Sequence, residues 1–549
     1  MKRLIPMFIA MGLIVVVIAG YFGWNTAKRY MPSKEMADLE EVFDTQKDKV
    51  SIFLDNQMAE EKAIYMEEQT YFPLEWVNQY LNDRYYWDDV EKKLVYAMPD
   101  QLLSANAEVT GSDGKKLLWI SEEGVYISAG LILQYTNVRM EAFDKGEYKR
   151  IFVDTKDSQT VAKLKHNVSV REKGGIKSPI ITIGKKGENV VVLEKMDSWS
   201  KVRTKDGCIG YIRNHDMKGE EIEKLASAFV EPVYSHIDMQ EKVCLVFHQV
   251  TNPDANQNLE NLLSKTQGVN VVVPTWFSLT DNEGNFTALG SKDYVEKAHE
   301  KGIQVWGLLD NFSNDVKTEV LLSSTTVRQR LIQKLIKEAK DLGLDGLNMD
   351  FESLKESAGV HYVQFLRELS IECRKEGLVL SVDNYVPTAG TRFYNRKEQG
   401  IVADYVIVMG YDEHYSGGEP GPVASIGYVE MGIKETLKEV PKERVINAVP
   451  FYTRLWTEKD GVVSSKALGI GASERWLEEN GVELIWQDDV GLSYGELETD
   501  DQKQYLWFED AKSLQMKMDL IKKYELAGVA CWKLGLETED VWDVVGYQK

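Results

Sequence analysis

The run LDGLNMDFESL, residues 344–354, decides the fold. Asn348, Asp350 and Glu352 recur at spacing two, with Leu347, Met349 and Phe351 between them. Successive side chains of a β-strand point to opposite faces. The run therefore sets an amide and two carboxyls on one face and apolar groups on the other. Buried carboxylates are costly unless they are paired or used, so the polar face reads as functional.

Seven further strand-like runs surround it: VCLVFH (243–248), VNVVVPTWFSL (269–279), IQVWGLLD (303–310), LVLSVDNYVP (378–387), DYVIVMGYDEHY (404–415), VINAVPFYT (445–453) and AGVACWKLG (527–535). Amphipathic segments such as 325–343 and 357–377 lie between them. Eight strands alternating with helices predict a (β/α)8 TIM barrel over 240–549. Alternate residues of a barrel strand face its interior. Asn348, Asp350 and Glu352 then point inward, while Leu347, Met349 and Phe351 pack outward. Glu352 falls at the C-terminal end of its strand, where barrel active sites are built. Other polar strand ends are candidate sugar contacts: Trp276, Asp310, Asn311, Asp383, Asn384, Tyr452 and Arg454. The 454–505 insertion reads as modest, without a large set of surface aromatics, which argues against a deep processive cleft.

Here the segment resembles the D-x-x-D-x-D-x-E signature of glycoside hydrolase family 18, the chitinase-like family. Asp345, Asn348, Asp350 and Glu352 occupy its four positions. PTWFSL (274–279), MGYDEHY (409–415), WFEDAKSLQMKMDL (507–520) and GVACWKLG (528–535) resemble most closely the spore-cortex and cell-wall glucosaminidases of Firmicutes. The resemblance implies substrate-assisted, retaining hydrolysis, in which the sugar's own 2-acetamido group attacks the anomeric carbon. It implies that Glu352 is the acid, with a proton affinity raised by burial and by nearby Asp350. Asp350 would orient the acetamido N–H, Tyr411 and Asp412 of M-x-Y-D (Met409 to Asp412) would hold the acetamido carbonyl and the ring, and Trp532 would floor the sugar. Asn348 departs from the usual Asp. It is expected to keep a hydrogen bond to Asp350 but cannot ionise, which predicts an altered pH profile rather than lost activity.

The N-terminal half divides differently. Residues 1–30 open with Lys2 and Arg3, and an uncharged run spans Leu4 to Trp24. That length crosses a bilayer as a helix. Its aromatic end, Tyr21, Phe22 and Trp24, favours an uncleaved anchor, with a cleaved signal peptide as the alternative. The basic start places the rest of the chain outside the cytoplasm. Residues 31–64 are charged and read as a helical or loose stalk. Residues 65–155 read as a small α+β module. Through F-P-L-x-x-V (Phe72 to Val77) and Y-W-D (Tyr86 to Asp88) it loosely resembles the N-terminal module of copper amine oxidases, with no copper ligands implied. Residues 158–217 alternate short β-runs with turns. Asn167 to Arg171, Asp197 to Val202 and Gly210 to Ile212 resemble a bacterial SH3 domain, a wall-peptide binder or a spacer.

Composition narrows the partners. A net charge of −22 argues against nucleic acid, which needs clustered cations. The four cysteines form no C-x-x-C, and the seven histidines are scattered, so no zinc pattern is present. No nucleotide, flavin or metal cofactor is expected. The expected activity is hydrolysis of a β-linked N-acetylglucosamine glycan at the outer face of the membrane or in the wall. Peptidoglycan is the favoured polymer and chitin the alternative. A non-catalytic glycan binder is a further alternative, disfavoured by the acid retained at 352.

Overall fold

Runs rich in Val, Ile and Leu between amphipathic helices bury both faces of a sheet, the condition for a parallel barrel. The computed structural model of the chain describes residues 5–546. In it these runs become β1 (Val243–His248), β2 (Val271–Pro274), β3 (Gln304–Asp310), β4 (Gly346–Asp350), β5 (Val379–Tyr385), β6 (Tyr405–Met409), β7 (Val445–Pro450) and β8 (Gly528–Trp532). All eight pair in parallel in the order β2-β1-β8-β7-β6-β5-β4-β3, and β2 also pairs with β3, which closes the barrel.

The helices that matter for the site are α1 (Lys292–Glu300), α2 (Thr318–Ser323), α3 (Thr325–Leu342), α4 (Glu356–Glu376) and α5 (Arg396–Val402). α3 shows why such a segment is helical. Leu331, Ile332, Leu335, Ile336 and Ala339 recur at helical spacing and are buried, Ser324 accepts from the N–H of Val327 at the start, and left-handed Gly343 ends it. Leu347, Met349 and Phe351 are buried as expected, and Phe351 stacks on Tyr362 and Phe365 of α4. Cys244 of β1 and Cys531 of β8 are buried, as are Cys208 and Cys373.

Between β7 and β8 the chain builds more than a modest insertion. Strands Tyr452–Lys459, Val462–Gly469, Ile485–Gln487, Leu492–Glu498 and Lys503–Phe508 make a five-stranded antiparallel sheet, with a helix at Ile470–Asn480. Tyr494, Tyr505 and Trp507 cluster on it with centroids 5.1–6.5 Å apart. Tyr505 and Trp507 share one face of their strand, and cross-strand pairing sets Tyr494 opposite Trp507.

The chain separates into two units, residues 1–85 with 105–231, and residues 86–104 with 232–549. The first begins with a helix, Ile5–Tyr30, of which Met7–Tyr30 is long and apolar enough to cross a membrane. Lys2 and Arg3, on which its orientation rests, lie outside the described residues. The stalk expected at 31–64 is instead folded. The backbone of Ser33, Glu35 and Ala37 bonds along 176–180, and strands Lys49–Leu54 and Gln57–Met66 sit inside a seven-stranded sheet. Val50 and Ile52 are fully buried there. Residues 158–224 form a second antiparallel sheet of seven strands, around Val170, Val202 and Ile212. The module expected at 65–155 is not continuous in space, because residues 86–104 pack with the barrel.

Candidate active site

Strand alternation brings the site together. β4 turns Asn348 and Asp350 inward, β5 turns Ser381, Asp383 and Tyr385 inward, and β3 ends in Asp310, in register with Asp350. Asn348, Asp350 and Asp383 are buried. Glu352 lies just past β4 and is half-buried. The phenol of Tyr385 donates to Glu352 Oε2 at 2.6 Å. Asn311 fixes the acid's backbone, accepting from Glu352 N at 2.9 Å and donating to Glu352 O at 3.0 Å.

Asn348 does not bond to Asp350 as expected. Its Nδ2 donates to Ser381 Oγ and to Asp383 Oδ1, both at 3.0 Å. Asn348 Oδ1 and Asp350 Oδ1 are left buried with no hydrogen-bond partner. Burial, and then the charges of Asp383, Glu352 and Asp310, push the Asp350 carboxyl well above its ordinary pKa. Burial raises Asp383 to about 8, against the lowering bond from Asn348. Glu352 is also raised, first by burial, with the Tyr385 bond opposing and the charges of Asp412 and Asp310 adding. Glu352 in turn raises Asp350, so the two carboxyls repel each other. Asp350 is the more deeply buried of the two, and burial is the largest cause of its rise.

The remaining expected residues separate cleanly. Tyr411 is buried just past β6, within reach of the charges of Asp383, Asp350 and Glu352. Asp412 follows in the left-handed region (φ 55°) and accepts from the phenol of Tyr452. Met409 ends β6 and is buried. Trp532 ends β8 at the same end of the barrel, half-buried, its ring 5.4 Å from that of Phe247. Asp345 is not part of the site. It precedes β4 at the opposite end of the barrel, where Oδ2 accepts from Val305 N and pairs with His299 Nε2 of α1, each at 2.8 Å. Its position in the signature is structural.

Among the candidate sugar contacts, Asp310 accepts from Ser278 Oγ at 2.7 Å. Trp276 is buried, with its indole N–H on Asn256, and offers no open face. Asn384 points outward and exchanges hydrogen bonds with Gln399 of α5. Arg454 donates to Ser465 within the insertion. Tyr385 and Ser381 were missed. The alternation S-x-D-x-Y, 381–385, carried the signal, since the parity that places Asp383 inward places both of them inward and Asn384 out.

A groove of about 540 Å³ opens beside Glu352, with Asn311 and Phe312 on one side and Thr318, Val320, Lys355 and Ala358 along its length. Among the described residues no cluster of His, Cys, Asp and Glu could hold a metal ion.

Residues 247–537 match the family described as Glycosyl hydrolases family 18, and residues 166–218 match Bacterial SH3 domain. Among curated proteins, the chain is 27% identical over 261 residues to an uncharacterized glycosylase, YvbX, of Bacillus subtilis (strain 168), covering 45% of this chain and 76% of that one. It is 29% identical over 244 residues to the cortical fragment-lytic enzyme of the same organism, covering 42% of this chain and 55% of the relative. The chain thus spans about half the length of that enzyme. Among solved structures, the fold resembles the spore cortex-lytic enzyme SleL of Bacillus megaterium QM B1551, with a TM-score of 0.51 at 23% identity over 59% of this chain and 79% of that one.

Proposed function

The chain belongs to glycosyl hydrolases family 18, and on that premise we propose that Glu352 is the proton donor of a glycosidase that cleaves β-linked N-acetylglucosamine in peptidoglycan. The observation that carries the reading is the carboxyl of Glu352. It stands at the C-terminal mouth of the barrel, held by Tyr385 and beside an open groove, with its pKa raised by burial. A general acid working near neutrality needs such a shift.

In the proposed reaction the sugar's acetamido oxygen bonds to its anomeric carbon as the bond to the leaving oxygen breaks. Glu352 gives its proton to that oxygen. The resulting carboxylate then takes a proton from water, whose oxygen opens the oxazolinium and restores the retained configuration. Asp350 accepts the acetamido N–H and balances the positive ring, Tyr411 donates to the acetamido oxygen, and Asp412 with Trp532 holds the sugar. Peptidoglycan is favoured by the apolar N-terminal helix, by the SH3 domain, and by a relative named for lysis of cortical fragments. With the helix as an anchor, the barrel would work at the outer face of the membrane.

Digestion of purified peptidoglycan by the full chain in detergent, beside Glu352→Gln, tests the reading. Mass spectrometry should find new reducing N-acetylglucosamine ends that the variant does not produce. Loss of a general acid should cost roughly 10²–10⁴-fold in rate. Equal products from both proteins would remove Glu352 from its role. Hydrolysis of chitin oligosaccharides alone would move the substrate to chitin.

A further inference from the structure

Residues 86–104 join the barrel in space although they precede it in the chain. Their first strand, Tyr86–Asp88, and the turn after it dock on the helices that flank β4. Asp88, fully buried, accepts from Thr325 N at 2.6 Å, and Glu91 accepts from Thr326 N at 2.6 Å and from Ser324 Oγ at 2.7 Å. Two carboxylates thus cap the first turn of α3, where the helix dipole favours them. These bonds fix the neighbouring Tyr86.

The Tyr86 hydroxyl is a junction. It donates to the carbonyl of Ser323 at 3.1 Å, accepts from Arg328 Nη1 at 3.1 Å and pairs with His361 Nδ1 at 2.7 Å. The guanidinium of Arg328 also lies over the Tyr86 ring and forms a fully buried ion pair with Glu368 of α4. Burial and Arg328 lower the His361 pKa, so the ring is neutral near pH 7. Ser323 ends α2, and His361 lies one turn beyond Ala358 in α4. These two helices carry the far wall of the groove beside Glu352, through Thr318, Val320 and Ala358. One hydroxyl from outside the barrel's own sequence therefore ties α2 to α4.

We propose that Tyr86 is a positioning residue that sets the spacing of α2 and α4, and with it the fit of the glycan's leaving portion in the groove. The identity of the occupant rests on the glycosidase reading. The clamp itself rests on the contacts alone.

The test compares full-length protein and Tyr86→Phe on two substrates. One is an N-acetylglucosamine oligosaccharide, whose leaving sugars fill the groove. The other is an aryl β-glycoside of the same sugar, whose leaving group needs none of it. KM for the oligosaccharide should rise roughly fivefold, the factor that one neutral hydrogen bond is worth, with kcat within about twofold and the aryl glycoside unaffected. A parallel loss on both substrates, or no change on either, overturns the proposal.

Hydrogen exchange without substrate gives a second readout, and amides of 318–323 and 356–361 should exchange faster in the variant. Unchanged exchange there overturns the clamp. Faster exchange in a protein that cleaves no glycan keeps the clamp and discards the glycosidase reading. Should Tyr86→Phe fail to fold, His361→Gln breaks the same tie from α4 and must give the same split in KM and kcat.

Discussion

Tyr385→Phe probes the acid without touching it. In the folded chain the phenol donates to Glu352 Oε2 at 2.6 Å and accepts from Ser353 N at 3.2 Å. The first bond stabilises the ionised carboxylate, and it is the lowering influence on a pKa that burial, Asp412 and Asp310 raise. A hydrogen bond to a charged group contributes about 1.5–3 kcal/mol, and one pKa unit corresponds to about 1.4 kcal/mol. Half-exposed Glu352 recovers part of that from water, so removal should raise its pKa by about one unit. The acid must be protonated to act, so the alkaline limb of kcat/KM against pH reports this group in the free enzyme. That limb should move up by about one pH unit in the variant. The second bond contributes little to stability, because Ser353 is exposed and water replaces the phenol. Thermal midpoints should therefore agree closely. The assay is a pH–rate profile on a soluble oligosaccharide for both proteins. An unmoved alkaline limb, or one that moves to lower pH, would refute the assignment of Glu352 as the acid held by Tyr385.

Three further outcomes follow from the same geometry. Asn348→Asp replaces the donor to Asp383 and Ser381 with a fourth carboxyl in the barrel core, so its pH–rate profile should shift while activity survives; an unchanged profile would mean that position 348 does not tune the site. Asp345→Asn should leave kcat within about twofold because Asp345 lies at the far end of the barrel, and a large loss of kcat would return it to the site. Glu368→Ala strands the fully buried charge of Arg328 and should cost about 3–5 kcal/mol of stability in urea denaturation, whereas a cost below about 1 kcal/mol would show that water reaches that pair.

The barrel was legible because its strands are buried on both faces. Each one left a short apolar run in the sequence, and the residues between them kept a helical period. Residues 49–54 left a similar run, but the charged residues on both sides of it drew it into the expected stalk. The strand KVSIFL follows the charged segment QKDK, and only pairing with 57–66 and 150–154 shows it to be central. Tyr86 and Asp88 misled for a different reason. Local pattern assigned them to the module around them, while their partners Thr325, Arg328 and His361 lie more than two hundred residues away. No periodicity reports a contact of that separation.

The site was legible to the extent that parity governs it. Spacing two placed Asn348 and Asp350 on the inner face, and the same rule applied to β5 separates Asp383 and Tyr385 from Asn384. Parity says which side chains share a face, and it is silent on which of them bond. Asn348 could have turned to Asp350 along its own strand or across to Asp383 on the next one. The structure takes the second choice, because Ser381 and Asp383 offer two acceptors in register with β4. That choice leaves Asp350 Oδ1 buried without the donor expected for it. Burial raises the Asp350 carboxyl, and burial with the charges of Asp412 and Asp310 raises that of Glu352. Asp310 acts on both acids of the signature, while Asp383 bears on Asp350 and Asp412 on Glu352. Removing Asp412 should lower the Glu352 pKa and pull the alkaline limb down, the reverse of the shift from Tyr385→Phe.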